Sequence, residues 1–145
     1  MNKNIYRTVD CGSLRMSDCE TKQVLSGFVD TIRKLGGITF VVLRDFYGKT
    51  QIVLPEEMDI SLNKEDVICV HGTVRERSSK NPAMPTGDIE ILAEKVEILG
   101  KCEKVLPFEI KNSQSVNEDL RLKYRYLDLR ADYNRGMLKL RSDLM

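Results

Sequence analysis

Several things are scarce in this sequence, and each scarcity removes a class of function. There is one histidine, His71, so no Cys/His or Ser/His/Asp arrangement is credible, and a lone histidine on a strand is more often structural than catalytic. The four cysteines, Cys11, Cys19, Cys69 and Cys102, include no C-x-x-C pair. A zinc site needs about four ligands at suitable spacings, so no metal is expected and reduced thiols are the simpler reading. No run approaches the roughly 18 apolar residues of a membrane span, and the longest apolar stretch, around Phe40 to Leu43, is strand-sized. The start, MNKNIYRTVD, lacks an apolar core and a small-residue cleavage site, so a signal peptide is not expected and the protein is read as cytoplasmic.

A large charge of one sign is also missing. The 145 residues carry a net charge of +1, with 41% hydrophobic and 31% charged residues, which are ordinary globular values. Residues 1–110 hold 15 lysines and arginines against 17 acids, and residues 111–145 hold 8 against 5. A nucleic-acid partner of the first part would have to be read through its bases, because phosphate attraction alone needs many cations.

What is present is a succession of strand-like segments. Residues 22–33 interleave Val24, Phe28 and Ile32 with Leu25 and Val29, which predicts a first strand buried on much of both sides. The glycines of KLGG break it. Residues 38–45 and 50–54 follow as strands two and three. PEEMDISLNKED is turn-rich, with room for one short helix. VICVHGTVRER predicts strand four, SSKNPAMPTGD a loop, and IEILAEKVEILG strand five. Five strands with long loops after the first and fourth fit an all-β Greek-key OB barrel over residues 1–106, in preference to an open five-strand sandwich. After Pro107 the pattern turns helical. Asn117 suits an N-cap, Glu118 and Asp119 suit a first turn, and Leu120, Tyr124 and Leu127 recur at helical spacing. Asp132 or Asn134 is expected to cap a second helix. Residues 107–145 are thus read as a hinge and the first helices of a larger parent protein.

One hairpin, GGITFVVLRDFYGKTQIVL, invites a functional reading. A Tyr47–Gly48 turn would pair Arg44 with Gln51 and Val42 with Val53. Val41, Leu43, Ile52 and Leu54 then share an aliphatic core face, while Phe40, Arg44 and Gln51 point the other way. A phenyl ring on the outside of an OB barrel is a platform for an unpaired base, and an amide matches a base edge. Arg33, beside the KLGG loop, and Lys80 and Asn81, in the fourth loop, flank that face, and Glu90 begins strand five. A carboxylate only accepts hydrogen bonds, so Glu90 would select the N–H groups of guanine. Taken singly, each has a plainer reading. Phe40 could fill a bulged barrel, Gln51 could be a solvated strand residue, and Arg33, Lys80, Glu90, Arg75 and Arg77 could be surface charges. Arg44 reads better as a structural ion pair or turn anchor.

Three stretches in order, GGITFVVLRDFYGKTQIVL, HGTVRERSSKNPAMPTGDIEILAEKVEIL and LRLKYRYLDLR, resemble the amino-terminal part of bacterial-type aspartyl-tRNA synthetase, a class II family. The resemblance runs from about Cys11 to Met145. It implies an anticodon-binding OB barrel and a hinge leading to a catalytic domain that lies outside these residues. It implies that Phe40 stacks on the middle anticodon base, a uridine, that Gln51 hydrogen-bonds that base, and that Glu90 reads the first base, a guanine. Arg33, Lys80 and Asn81 are expected to contact anticodon nucleotides. The parent would be a homodimer that joins aspartate to tRNA with ATP and magnesium. This fragment alone should need no cofactor and show no ligase activity. Lysyl- or asparaginyl-type modules, a generic single-strand-binding OB domain and a purely structural barrel are the competing readings.

Overall fold

The structure is a computed structural model and describes residues 4–145. It divides into two compact units, Met1–Glu103 and Lys104–Met145.

The first unit is a closed five-stranded barrel in the order β1-β2-β3-β5-β4, with β4 returning to β1. The strands are β1 (Lys22–Leu35), β2 (Ile38–Arg44), β3 (Lys49–Leu54), β4 (Val67–Glu76) and β5 (Ile89–Gly100). Closure depends on β1 serving two neighbours. Its first half pairs with β4, Lys22 to Phe28 opposite Thr73 to Val67, and its second half pairs with β2. The two halves meet at a bulge between Val29 and Thr31, where the extra residue bends the strand. The first strand does not have two buried sides. Leu25, Gly27 and Val29 alternate inward while Val24 and Phe28 are half-buried, because one face of a barrel strand looks to solvent.

Leu35 faces Ile38, so β1 and β2 are joined by Gly36 and Gly37, at φ 56° and 83°. Two consecutive positive angles define the tight turn whose twist matches a hairpin, and glycine adopts them without a Cβ penalty. The β2–β3 turn is longer than expected. Phe40 pairs with Val53 and Val42 with Gln51, two residues away from the predicted register, leaving Asp45–Gly48 as the loop. The Asp45 carboxylate is the cause. It accepts from the backbone N–H groups of Tyr47 (2.8 Å) and Gly48 (3.0 Å), and from that of Cys11 (2.8 Å), so the turn is built on this side chain. A shift of two leaves every side chain on its expected face.

Val41, Leu43, Ile52 and Leu54 accordingly lie in the core with Leu25, Val29, Ile68, Val70, Val74, Ile89 and Ile91. Cys11 and Leu14 join them from the segment before β1, which clips onto the barrel through Thr8 to Val24 (2.8 Å) and Glu20 to Val74 (2.7 Å). Burying each such aliphatic side chain contributes about 1.5–3 kcal/mol.

The short helix expected between strands three and four is absent. Residues 55–66 are turns and extended chain, in which Met58, Ile60 and Leu62 alternate with exposed Asp59, Ser61 and Asn63. Met58 and Leu62 pack on the barrel core. That period of two suits a strand-like cover, and Asn63 and Asp66 spend their groups on a local turn (Asn63 N–H to Asp66 Oδ2, 2.8 Å).

The second unit has its own core of Phe108, Ile110, Leu127 and Ala131, with Leu120 and Tyr124 packed against it. A 3₁₀ turn, Ile110–Ser115, precedes α1 (Glu118–Lys123), α2 (Arg125–Asp128) and α3 (Asp132–Leu144). Asn117 caps α1 by accepting from Asp119 N–H at 2.9 Å. Neither Asp132 nor Asn134 caps α3. Ala131 holds that position because Asn134 donates to the Asp128 carbonyl (2.9 Å) and Asp132 pairs with Arg135 inside the first turn. Among the described residues, no helix is long and apolar enough to cross a membrane.

Candidate nucleic-acid interface

The outer surface of β1, β2, β3, β5 and β4 carries a strip of side chains in that order. Arg33 on β1 is directly opposite Phe40 on β2. Phe40 is half-buried and stands apart from the core cluster, so the alternation reading of its side holds. The Arg33 Cζ lies 5.2 Å from the centre of the Phe40 ring, a cation–π contact on an exposed face.

Next along the strip, Gln51 on β3 and Glu90 on β5 are each about 5% exposed. Gln51 is therefore not the solvated strand amide that its residue type suggests. Its Nε2 donates to Glu90 Oε2 at 2.9 Å, and Arg75 Nε, from β4, donates to Glu90 Oε1 at 2.8 Å. Arg75 and Glu90 are register partners across the β4–β5 pairing. A carboxylate has two acceptor sites on each oxygen, so Glu90 keeps capacity for further donors after both bonds.

Lys80 and Asn81 sit in the β4–β5 loop and bond within it or to the end of β4. Lys80 Nζ pairs with Glu76 at 2.9 Å, and that hydrogen bond raises the lysine pKa above its ordinary value. The Asn81 carboxamide oxygen accepts from Ala83 N–H at 3.0 Å, and its backbone N–H donates to Gly87. The loop is folded: the Thr86 hydroxyl donates to the Lys49 carbonyl, and a Cβ on Gly87 would lie 1.7 Å from the Asn81 carbonyl oxygen. Glycine is required there by contact.

Arg44 shares the outer side by alternation yet is buried, and its role is structural. It donates two bonds to Glu65 (2.9 and 2.8 Å) and a third to Asp30, the residue at the β1 bulge, while Lys49 Nζ reaches Asp30 at 3.1 Å. The anchor expected of Arg44 is present, with Asp30 and Glu65 as partners. Sequence reasoning missed the role of Arg75, read there as a solvated residue. Its signal was the acidic partner at position 90, which could be seen only with the β4–β5 register.

The sequence model of the tRNA anti-codon family, an OB-fold nucleic acid binding domain, matches residues 24–99. The chain belongs to this family. The matched span of the OB domain includes Arg33, Phe40, Gln51, Arg75, Lys80, Asn81 and Glu90. The aspartate–tRNA ligase of Bacteroides fragilis is 47% identical over 147 residues, which is 97% of this chain and 25% of the relative. The aspartate–tRNA(Asp/Asn) ligase of Gluconobacter oxydans is 45% identical, over 97% of this chain and 24% of the relative. The OB domain and its following helices thus span about a quarter of the length of such relatives. The asparaginyl-tRNA synthetase of Pyrococcus horikoshii superposes with a TM-score of 0.77 over 92% of this chain and 32% of that one. At 24% identity, that likeness is one of fold.

Proposed function

We propose that the chain is the anticodon-recognition module of an aspartate–tRNA ligase. The observation that carries the reading is the outward Phe40 ring beside Arg33, next to a buried amide–carboxylate pair on the same face. The family match and the names of the relatives support it.

In this reading the middle anticodon base stacks on Phe40 and donates its ring N–H to the Gln51 amide oxygen. Stacking of a base on an aromatic ring contributes about 1–3 kcal/mol, against about 0.5–1 kcal/mol for an exposed cation–π contact. The base therefore displaces Arg33 from the ring, and the released guanidinium turns to a phosphate, for which its planar fork is suited. Glu90 accepts from the Watson–Crick N–H groups of a guanine at the first position. Lys80 and Asn81 contact the nucleotides from the β4–β5 loop. Charge selection by a near-neutral surface is weak, so base contacts supply the discrimination.

The parent enzyme would activate aspartate with ATP and magnesium, esterify the tRNA terminus, act as a homodimer and work in the cytoplasm. Residues 107–145 would form the hinge to its catalytic domain. The name of the Gluconobacter relative favours a second reading, in which the parent charges both aspartate and asparagine tRNA.

Titrating the chain with labelled anticodon stem-loops tests the proposal. The expected order is an aspartate-type stem-loop first, with weaker binding when the middle uridine or the first guanine is changed. Equal affinity for all stem-loops and for an unrelated single strand would leave only a generic binder.

A further inference from the structure

We infer that Arg75 is a specificity-positioning residue, which acts on two bases at once through Glu90 and Gln51 without touching either. The inference rests on the anticodon reading above and adds a residue to it.

The argument begins with the ambiguity of a primary amide. Its oxygen accepts, its nitrogen donates, and the two ends have nearly the same shape, so an unrestrained glutamine serves opposite base edges equally. Uracil offers an N–H between two carbonyls, whereas cytosine offers a ring acceptor beside an amino group. An amide that turns freely can match both. In this structure it is not free. Glu90 can only accept, so it takes the Gln51 Nε2 end at 2.9 Å and leaves Oε1 as the acceptor available to a ligand. Set opposite the ring nitrogen of the base, that oxygen accepts the ring N–H of uracil but meets the lone pair of cytosine.

Glu90 can hold the amide only while its own carboxylate is held. Its second oxygen is fixed by Arg75 Nε at 2.8 Å, across directly paired positions of β4 and β5. The Glu90 side chain is 7% exposed and that of Arg75 is 46% exposed, so the guanidinium is the outer partner of an inner carboxylate and its bond is one of the two that fix the carboxylate's orientation. With the bond made through Nε, the guanidinium plane and the carboxylate are set together. Removing Arg75 frees the Glu90 carboxylate to rotate, which disturbs its acceptor positions for the first base and releases the Gln51 amide beside the middle base. The two losses are coupled, and this coupling separates positioning from a simple phosphate contact.

The test compares the unsubstituted chain, Arg75→Ala and Arg75→Lys. In RNA-free protein, NMR of the Gln51 side-chain amide is expected to show a well-dispersed proton pair in the unsubstituted chain, collapsing toward averaged shifts in Arg75→Ala. Titration with stem-loops changed at the first or the middle base is expected to show discrimination at each position falling about tenfold in Arg75→Ala. Arg75→Lys should recover part of both, and the slope of affinity against salt should not change. Unaltered Gln51 signals in Arg75→Ala would overturn the relay. So would a uniform loss of affinity for every stem-loop with the salt slope reduced by about one, the mark of a phosphate contact. Failure of the anticodon reading is distinguished from both, because it appears as no stem-loop preference in the unsubstituted chain, while the RNA-free amide signals still decide the relay.

Discussion

Arg44 offers the sharpest test of how the barrel is held together. Its guanidinium lies between two carboxylates of low exposure, with two bonds to Glu65 and one to Asp30. Arg44→Met keeps most of the aliphatic stem but takes the guanidinium away from two acids in a poorly solvated position. Breaking a buried ion pair by removing one partner costs about 3–5 kcal/mol, because the remaining charge is uncompensated. Lys49 still reaches Asp30 at 3.1 Å, so part of the cluster stays paired and the lower half of that range is expected. For a domain stabilised by about 5–15 kcal/mol this is a large fraction. With a urea slope of about 1.5 kcal/mol per M, the unfolding midpoint followed by circular dichroism should fall by about 2 M. Adding Glu65→Met to Arg44→Met should recover part of the loss, since an apolar pair has no charge to strand. A midpoint shift below about 0.5 M for Arg44→Met would refute the claim that this cluster ties the β1 bulge to β2.

Three further outcomes follow from named contacts. Arg33→Ala uncovers the Phe40 ring and removes a phosphate partner, so stem-loop affinity should fall mainly at low salt and the salt slope should shrink by about one. Hydrogen bonds also make stability depend on pH. Burial alone would raise the Asp10 carboxyl pKa, but hydrogen bonds from Ser13 and Gly12 and the charge of Arg7 outweigh it and hold the pKa below its ordinary 3.8. A depressed carboxyl stabilises the fold above its unfolded pKa and loses that contribution as pH falls through the folded value. Urea midpoints of the unsubstituted chain and Asp10→Asn should therefore differ at neutral pH and converge as the pH falls through the folded value, which lies below 3.8. Asp45→Ala removes the acceptor of three backbone N–H groups and should cost about 1–3 kcal/mol in the same unfolding assay.

The parts of this fold that were legible in the sequence are those governed by local periodicity. Val41, Leu43, Ile52 and Leu54 alternate so regularly that the core face of the β2–β3 hairpin could be assigned without a structure. The register could not, because it depends on one carboxylate, Asp45, capturing the turn, and a two-residue slip preserves every face. The segment from Pro55 to Asp66 looked capable of a helical turn because it is polar. Its alternation of Met58, Ile60 and Leu62 was the better signal, and it gave an extended cover. Cys11 and Leu14 belong to a segment without any period, so their place in the core came only with the three-dimensional contacts. The triad of Gln51, Glu90 and Arg75 joins three strands through pairings far apart in sequence. Residue types suggested what Gln51 and Glu90 could recognise, whereas their mutual hydrogen bond, which limits how they do it, was invisible before the barrel closed.

The most direct test of base reading on this face is the affinity of Phe40→Ala for the aspartate-type anticodon stem-loop, measured beside Phe40→Tyr. The account predicts a loss of about 1–3 kcal/mol for alanine, near-complete retention for tyrosine, and unchanged unfolding midpoints, because the ring lies outside the core. Equal binding by the alanine variant and the unsubstituted chain would contradict it.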